Sequence, residues 1–261
     1  MRKMLFALAL VPAAFPQAPT TPPPLLEITC ESGTFSAPAR PYAAAKAAVD
    51  AVGMSSTTGM PQTWTIELHS NFASIEDLDK AIAATAPPQY PHDSYAEPHD
   101  EFLMPPRTVI AIYEPDWSYR PDEAIRLLPK ARYMSVTIHR IKVGLESDFE
   151  QLVRLRKLTN ESVNLNRPEL AYRVFSGAPV GIYLVIAPLA NLRSMDDGVP
   201  DVPAFAAPVA DARAKAEPKQ AELEIGREHL LFRVEPRLSY VSDDFAAIDE
   251  TFWRGKPPEQ E

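Results

Sequence analysis

A single cysteine, Cys30, in 261 residues excludes an intramolecular disulfide, so oxidising surroundings do not shape this fold. Glycine is scarce: nine residues supply phosphate-cradling loops poorly, and neither a Gly-rich phosphate loop nor a nucleophile elbow occurs. Positive charge is short as well. Lys and Arg number 26 against 35 Asp and Glu, for a net charge of −9, and no basic stripe with interleaved aromatics is present. Phosphate binding needs clustered cations, so nucleic acid is not expected as a partner. No apolar run approaches the roughly 18 residues of a membrane span, which argues against stable membrane insertion.

Proline is the residue in excess. Its 28 copies crowd into residues 12–24, 87–106 and 196–218, marking linkers and loops of a folded protein. The N-terminus has the pattern of an export signal: Arg2 and Lys3, an apolar core from Met4 to Phe15, then small residues at Ala13, Ala14 and Ala18. Residues 1–18 are therefore expected to be a signal peptide, 19–24 a stiff Pro-rich linker, and the protein periplasmic or secreted.

Residues 132–158 organise the second half of the chain. Met134, Val136 and Ile138 alternate with Tyr133, Ser135, Thr137 and His139, which predicts a strand. Gly144 turns the chain, and Ser147 with Glu150 at capping-box spacing predicts a helix from about Asp148 to Thr159. Strands are predicted at Leu170–Phe175, Val180–Ile186 and His229–Glu235, with a short helical stretch at Leu192–Met195 and an alanine-rich helix from Val209 that is interrupted at Pro218 and resumes to Ile225. In the first half, strands are predicted at Leu25–Glu31, Thr63–His69 and Thr108–Glu114. Ser74 is expected to cap a helix burying Ile75, Leu78 and Ile82, and the alanine-rich Tyr42–Val52 is predicted helical with Gly53 as its cap. Residues 54–61 then leave little room for a further strand.

The halves share a local signature. Glu114-Pro115-Asp116-Trp117-Ser118-Tyr119 matches Glu235-Pro236-Arg237-Leu238-Ser239-Tyr240 after an apolar strand, and Asp122 and Asp243 keep the same offset. A structural corner explains the repeated Ser-Tyr better than hydroxyl chemistry. Internal duplication is expected, with units at 25–127 and 128–254 and a polar tail at 255–261.

At residues 133–158 the pattern resembles the first strand and helix of the antibiotic-biosynthesis-monooxygenase type of dimeric α/β barrel. The matching residues are Lys142-Val143-Gly144 after the strand and Phe149 early in the helix. The resemblance implies an α+β fold of two tandem ferredoxin-like β-α-β-β-α-β units forming a pseudo-dimeric barrel. It also implies, as one reading, a cofactor-independent monooxygenase acting on a phenolic or quinol substrate. The other reading is an exported non-catalytic module holding a small apolar or aromatic molecule, or a protein partner, in the inter-sheet cleft.

In a ferredoxin-like unit the first and fourth strands are neighbours. His139, Arg233 and Glu235 are then the candidate catalytic residues, an imidazole base beside a carboxylate with an arginine to hold an anion. Tyr133, Thr137 and Tyr183 are candidate ligand-binding residues. A half-solvated sheet face with a stabilising Arg–Glu pair is the competing reading of the same residues. Residues 92–101 concentrate His and carboxylates, yet without a known metal spacing; a solvated acidic loop is the expectation, and neither a metal nor a cofactor is expected. The chain is read as a monomer or homodimer.

Overall fold

The computed structural model describes residues 20–32, 49–85, 107–162, 164–198 and 219–255. The strands are β1 (Leu25–Ser32), β2 (Asp50–Ser56), β3 (Gln62–His69), β4 (Arg107–Tyr113), β5 (Tyr133–Ile141), β6 (Leu170–Ser176), β7 (Ile182–Leu189) and β8 (Glu224–Val234). The helices are α1 (Phe72–Thr85), α2 (Pro121–Leu127), α3 (Glu146–Ser162), α4 (Asp243–Ala247) and α5 (Glu250–Arg254). The class is α+β. The strands close into one antiparallel barrel in the order β1-β3-β2-β8-β5-β7-β6-β4.

Strict alternation decides what fills it. Leu26 and Ile28 of β1, Val52 and Met54 of β2, Trp64 and Ile66 of β3, Met134 and Val136 of β5, Leu184 and Ile186 of β7, and Phe232 and Val234 of β8 belong to one buried cluster. Each such side chain contributes about 1.5–3 kcal/mol on leaving water. The polar handles inside are satisfied: Trp64 Nε1 donates to Gln62 Oε1 at 2.9 Å, and the Tyr172 hydroxyl to the Pro23 carbonyl at 3.1 Å. β4 and β8 run in the same direction, so α2 and α4–α5 arrive at the same end of the barrel. There Ile125, Leu128, Phe245 and Trp253 join the interior cluster.

The repeated Glu-Pro-x-x-Ser-Tyr corners make matching sets of hydrogen bonds. After β4, Glu114 N–H donates to Ala171 O (2.8 Å), Ser118 Oγ donates to Glu114 O (3.0 Å) and accepts from Ala171 N–H (2.9 Å), and Tyr119 exchanges backbone bonds with Glu169. After β8, Glu235 N–H donates to Gly53 O (2.9 Å), Ser239 Oγ donates to Glu235 O (2.8 Å) and accepts from Gly53 N–H (2.9 Å), and Tyr240 exchanges backbone bonds with Ala51. Each corner therefore staples the end of a strand in one half of the chain to a strand in the other half.

Four sequence expectations need correction. Residues 50–53 are strand, not the end of a helix; residues 42–48 lie outside the described ones. Val52 and Met54 face the core while Gly53 uses both backbone groups on the second corner, so β2 takes the place thought too small for a strand. Asn71, not Ser74, caps α1: its Oδ1 accepts the Ser74 N–H at 2.9 Å. α3 starts at Glu146 because Gly144, at φ 89°, ends the turn and the Leu145 carbonyl already accepts the Phe149 N–H. β8 begins five residues earlier than expected, directly after helical residues 219–223, and pairs with β5 along its length.

Candidate functional site

The outer face of β5 carries the polar residues that alternation singled out. Register places Tyr133 opposite Arg233, Thr137 opposite His229, and His139 opposite Arg227 on one side and Tyr183 on the other. Arg233 and His139 thus share a face but sit at opposite ends of the strand. Tyr133 and His139 are six residue steps apart, about 20 Å of extended chain. Glu235 stays at the far end, accepting from Ser55 Oγ at 2.8 Å. Thr137 Oγ1 lies 2.9 Å from His229 Nδ1, midway. The structure does not bring His139, Arg233 and Glu235 together; it does bring His139 and Tyr183 together.

The carboxylate beside His139 is Glu224. Its Oε1 lies 2.7 Å from His139 Nδ1 and also accepts from Gln220 Nε2 at 2.9 Å. Local folding explains the meeting. The β5–β8 register shifts between Arg140 and Ile141, which sets Glu224 opposite Ile141, and Lys142 N–H pins the chain by donating to Leu223 O at 2.9 Å. Sequence reasoning missed Glu224 because alternation fades at Gly226 and Ile225 is exposed, so nothing marked residues 224–228 as strand.

Over this pair lies an aromatic layer. α3 lays Phe149, Leu152 and Val153 onto the sheet. Trp117 stacks on Tyr183 with ring centres 4.3 Å apart, and Phe149 lies 5.4 Å from Trp117 and 5.3 Å from the His139 ring. His139 is 4% exposed, and its Nε2 is buried without a hydrogen-bond partner. Burial holds the imidazole below its ordinary pKa; the hydrogen bond it donates to Glu224 pulls the other way, and Arg156 adds to the lowering. Burial pushes the Glu224 carboxyl up, but the His139 and Gln220 hydrogen bonds outweigh it and hold the carboxyl below its usual range. At neutral pH the pair is an ionised carboxylate and a neutral imidazole, with Nδ1–H donating to Glu224 and the Nε2 lone pair buried without a partner. That state is the one a general base requires.

The buried imidazole gives stability a pH dependence of defined sign. Below about pH 6.5 the unfolded chain takes up a proton that folded His139 resists, so stability present above that value is lost as pH falls through it. His229, more exposed, is lowered in the same direction, by burial first and then by Arg167. The urea midpoint is expected to drop between about pH 7.5 and about pH 5.5, and less so in His139→Gln. A wild-type midpoint constant over that range would contradict the buried neutral imidazole.

An open depression of about 480 Å³ lies elsewhere, lined by Glu123, Arg126, Lys130, Asn166 and Asn191 among others, and includes neither His139 nor Glu224. The candidate metal loop 92–101 lies outside the described residues. Among the described residues no helix is long and apolar enough to cross a membrane.

By sequence, no family model and no curated relative matches the chain. By shape, the chain is similar to an anthrone oxidase-like protein, with a TM-score of 0.50 and 10% identity, over 81% of this chain and 92% of that one. That neighbour is of the dimeric α/β barrel type, and what this chain shares with it is the fold. A candidate monooxygenase from Fusobacterium nucleatum matches with a TM-score of 0.48 and 9% identity, over 82% of this chain and 93% of that one. Another, from Lactobacillus acidophilus, matches with a TM-score of 0.45 and 8% identity, over 83% and 96%. Likeness at this level of identity is likeness of fold.

Proposed function

We propose that the chain is a small-molecule enzyme of the oxygenase kind, in which His139 acts as general base on a phenolic or quinol hydroxyl. The observation that carries this reading is the neutral His139 imidazole held by the Glu224 carboxylate, with Nε2 buried and unpartnered beside an aromatic layer. A buried acceptor without a hydrogen bond costs about 1–3 kcal/mol, which an incoming hydroxyl would offset. Trp117, Phe149 and Tyr183 offer the flat apolar surroundings that an aromatic ring prefers. The fold neighbour named for an anthrone oxidase-like activity suggests the reaction class to try first. In it, the base takes the hydroxyl proton and the anion reduces dioxygen. One oxygen atom enters at a ring carbon as a carbonyl, and the two hydrogens lost, one from that carbon and one from the hydroxyl, leave with the other oxygen atom as water. No metal or organic cofactor enters that scheme.

Among the described residues, apolar side chains occupy the barrel interior. Oxygen uptake by the purified full-length chain with a panel of phenols, quinols and anthrones tests the oxygenase reading. Absence of uptake throughout, together with unchanged tryptophan fluorescence, would sink it.

Two features of the chain's origin belong to the same proposal. The barrel arose from tandem ferredoxin-like units: the order β4-β1-β3-β2 repeats as β8-β5-β7-β6, and the two corners repeat bond for bond. Residues 1–18 direct export. The exported protein is expected to lack them by mass, and recovery only of the uncut chain inside the cell would count against export.

A further inference from the structure

On the opposite side of the barrel, the outer face of β1 and β3 carries a second buried polar cluster. Glu27 and Glu67 stand directly opposite each other across the strand pair, and His69 follows two residues on, on the same face. His69 is completely buried, and Glu67 is 5% exposed. His69 Nδ1 is engaged by Ser74 Oγ at 3.0 Å, and that hydroxyl in turn donates to the Asn71 carbonyl at 2.7 Å. His69 Nε2 has no hydrogen-bond partner, yet it points at both carboxylates, 3.5 Å from Glu67 Oε2 and 3.8 Å from Glu27 Oε2.

We infer that Glu27, Glu67 and His69 form a divalent transition-metal site, with zinc the ion that fits the donors best. Two features converge on it. The separations are too long for hydrogen bonds but suit ligands of one ion: with bonds of about 2.0–2.1 Å, donors around tetrahedral zinc stand about 3.3 Å apart. The three donor atoms already lie within 4.8 Å of one another. Finally, an imidazole whose second nitrogen is oriented by a hydrogen-bond partner is the usual arrangement of a metal-binding histidine, and Ser74 fills that place. One nitrogen and two carboxylate oxygens leave a fourth position open, as in sites where zinc keeps a water or an exogenous ligand.

The cluster lies in the half of the chain that lacks the His139–Glu224 pair, so it stands independently of the oxygenase reading. The choice of cap on α1 makes it possible. Because Asn71 caps the helix, Ser74 is left to turn its hydroxyl toward His69.

The test uses the full-length chain without an affinity tag, stripped with EDTA and titrated with Zn²⁺ by calorimetry. The metal content is then measured after dialysis. One equivalent is expected, with a rise in Tm of roughly 5–10 °C at a hundredfold excess over Kd. Glu27→Gln, a neutral change of nearly the same shape, is expected to weaken binding by at least about 100-fold and to abolish the rise. Ser74→Ala, which removes only the orienting hydroxyl, should weaken it by about 10–100-fold and keeps the test open if Glu27→Gln folds poorly. Uptake of much less than one equivalent by the wild type overturns the site, and so does undiminished binding by both variants, which would send the metal to another part of the chain.

Discussion

Gly53→Ala is expected to cost about 3–5 kcal/mol of stability, against a total of about 5–15 for a domain of ordinary stability. A methyl at this position would sit 2.3 Å from Leu238 Cβ, 2.4 Å from the Leu238 carbonyl oxygen and 2.6 Å from its carbon. Two of those atoms are backbone, so no rotamer change relieves the clash. The corner has to withdraw, and in doing so it lengthens the bonds from Glu235 N–H to Gly53 O and from Gly53 N–H to Ser239 Oγ. These bonds fasten the end of β8 to β2, the seam where one half of the chain closes on the other. The matching seam supplies an internal comparison: its residue in Gly53's place is Ala171, and it takes a methyl there beside Trp117. If Gly53→Ala unfolds in urea within about 1 kcal/mol of wild type, the second corner can adopt the spacing of the first and the close approach of Leu238 is not required. Gly53→Val, whose branched side chain enlarges the clash with Leu238, is expected to be insoluble.

The same seam separates what sequence reading could reach from what it could not. The Glu-Pro-x-x-Ser-Tyr repeat was visible, and its role as a structural corner follows from side chains that bond to their own local backbone; such bonds recur wherever the short motif recurs. Strands with a clean apolar face were legible for the same reason, since Trp64, Ile66 and Leu68, or Met134, Val136 and Ile138, report one packed side without knowledge of the partner strand. β2 was not legible. Its stretch includes glycine and follows an alanine-rich segment, so propensity pointed to helix, whereas pairing with β3 on one side and β8 on the other decides the strand. The candidate site divides along the same line. His139 and Tyr183 fall on alternating strands and could be placed on a face. Glu224 reaches His139 through a register shift, and Glu27 reaches His69 across a strand pair, and neither relation leaves a mark in local sequence.

His139→Ala is expected to lower kcat/KM for a phenolic or quinol substrate by two to four orders of magnitude, about 2.7–5.5 kcal/mol of transition-state stabilisation. Arg233→Ala, at the far end of the same face and exposed, should leave the rate within about threefold, which separates the His139–Glu224 pair from the trio that sequence alone assembled. Glu224→Gln distinguishes a base from a packing residue. The amide oxygen can still accept from Nδ1–H and preserve the tautomer, but the charge that raises the imidazole pKa is gone. The acid limb of the kcat/KM profile, already below about pH 6.5 in the wild type, should therefore move to still lower pH in Glu224→Gln while the plateau falls. A merely structural role for His139 would leave the limb where it is. Removal of the ring leaves a space beside Phe149 and Tyr183, so added imidazole should restore part of the His139→Ala rate. If the variant turns over substrate as fast as wild type, or the acid limb ignores the loss of Glu224, proton abstraction belongs to another group and the pair under α3 is packing.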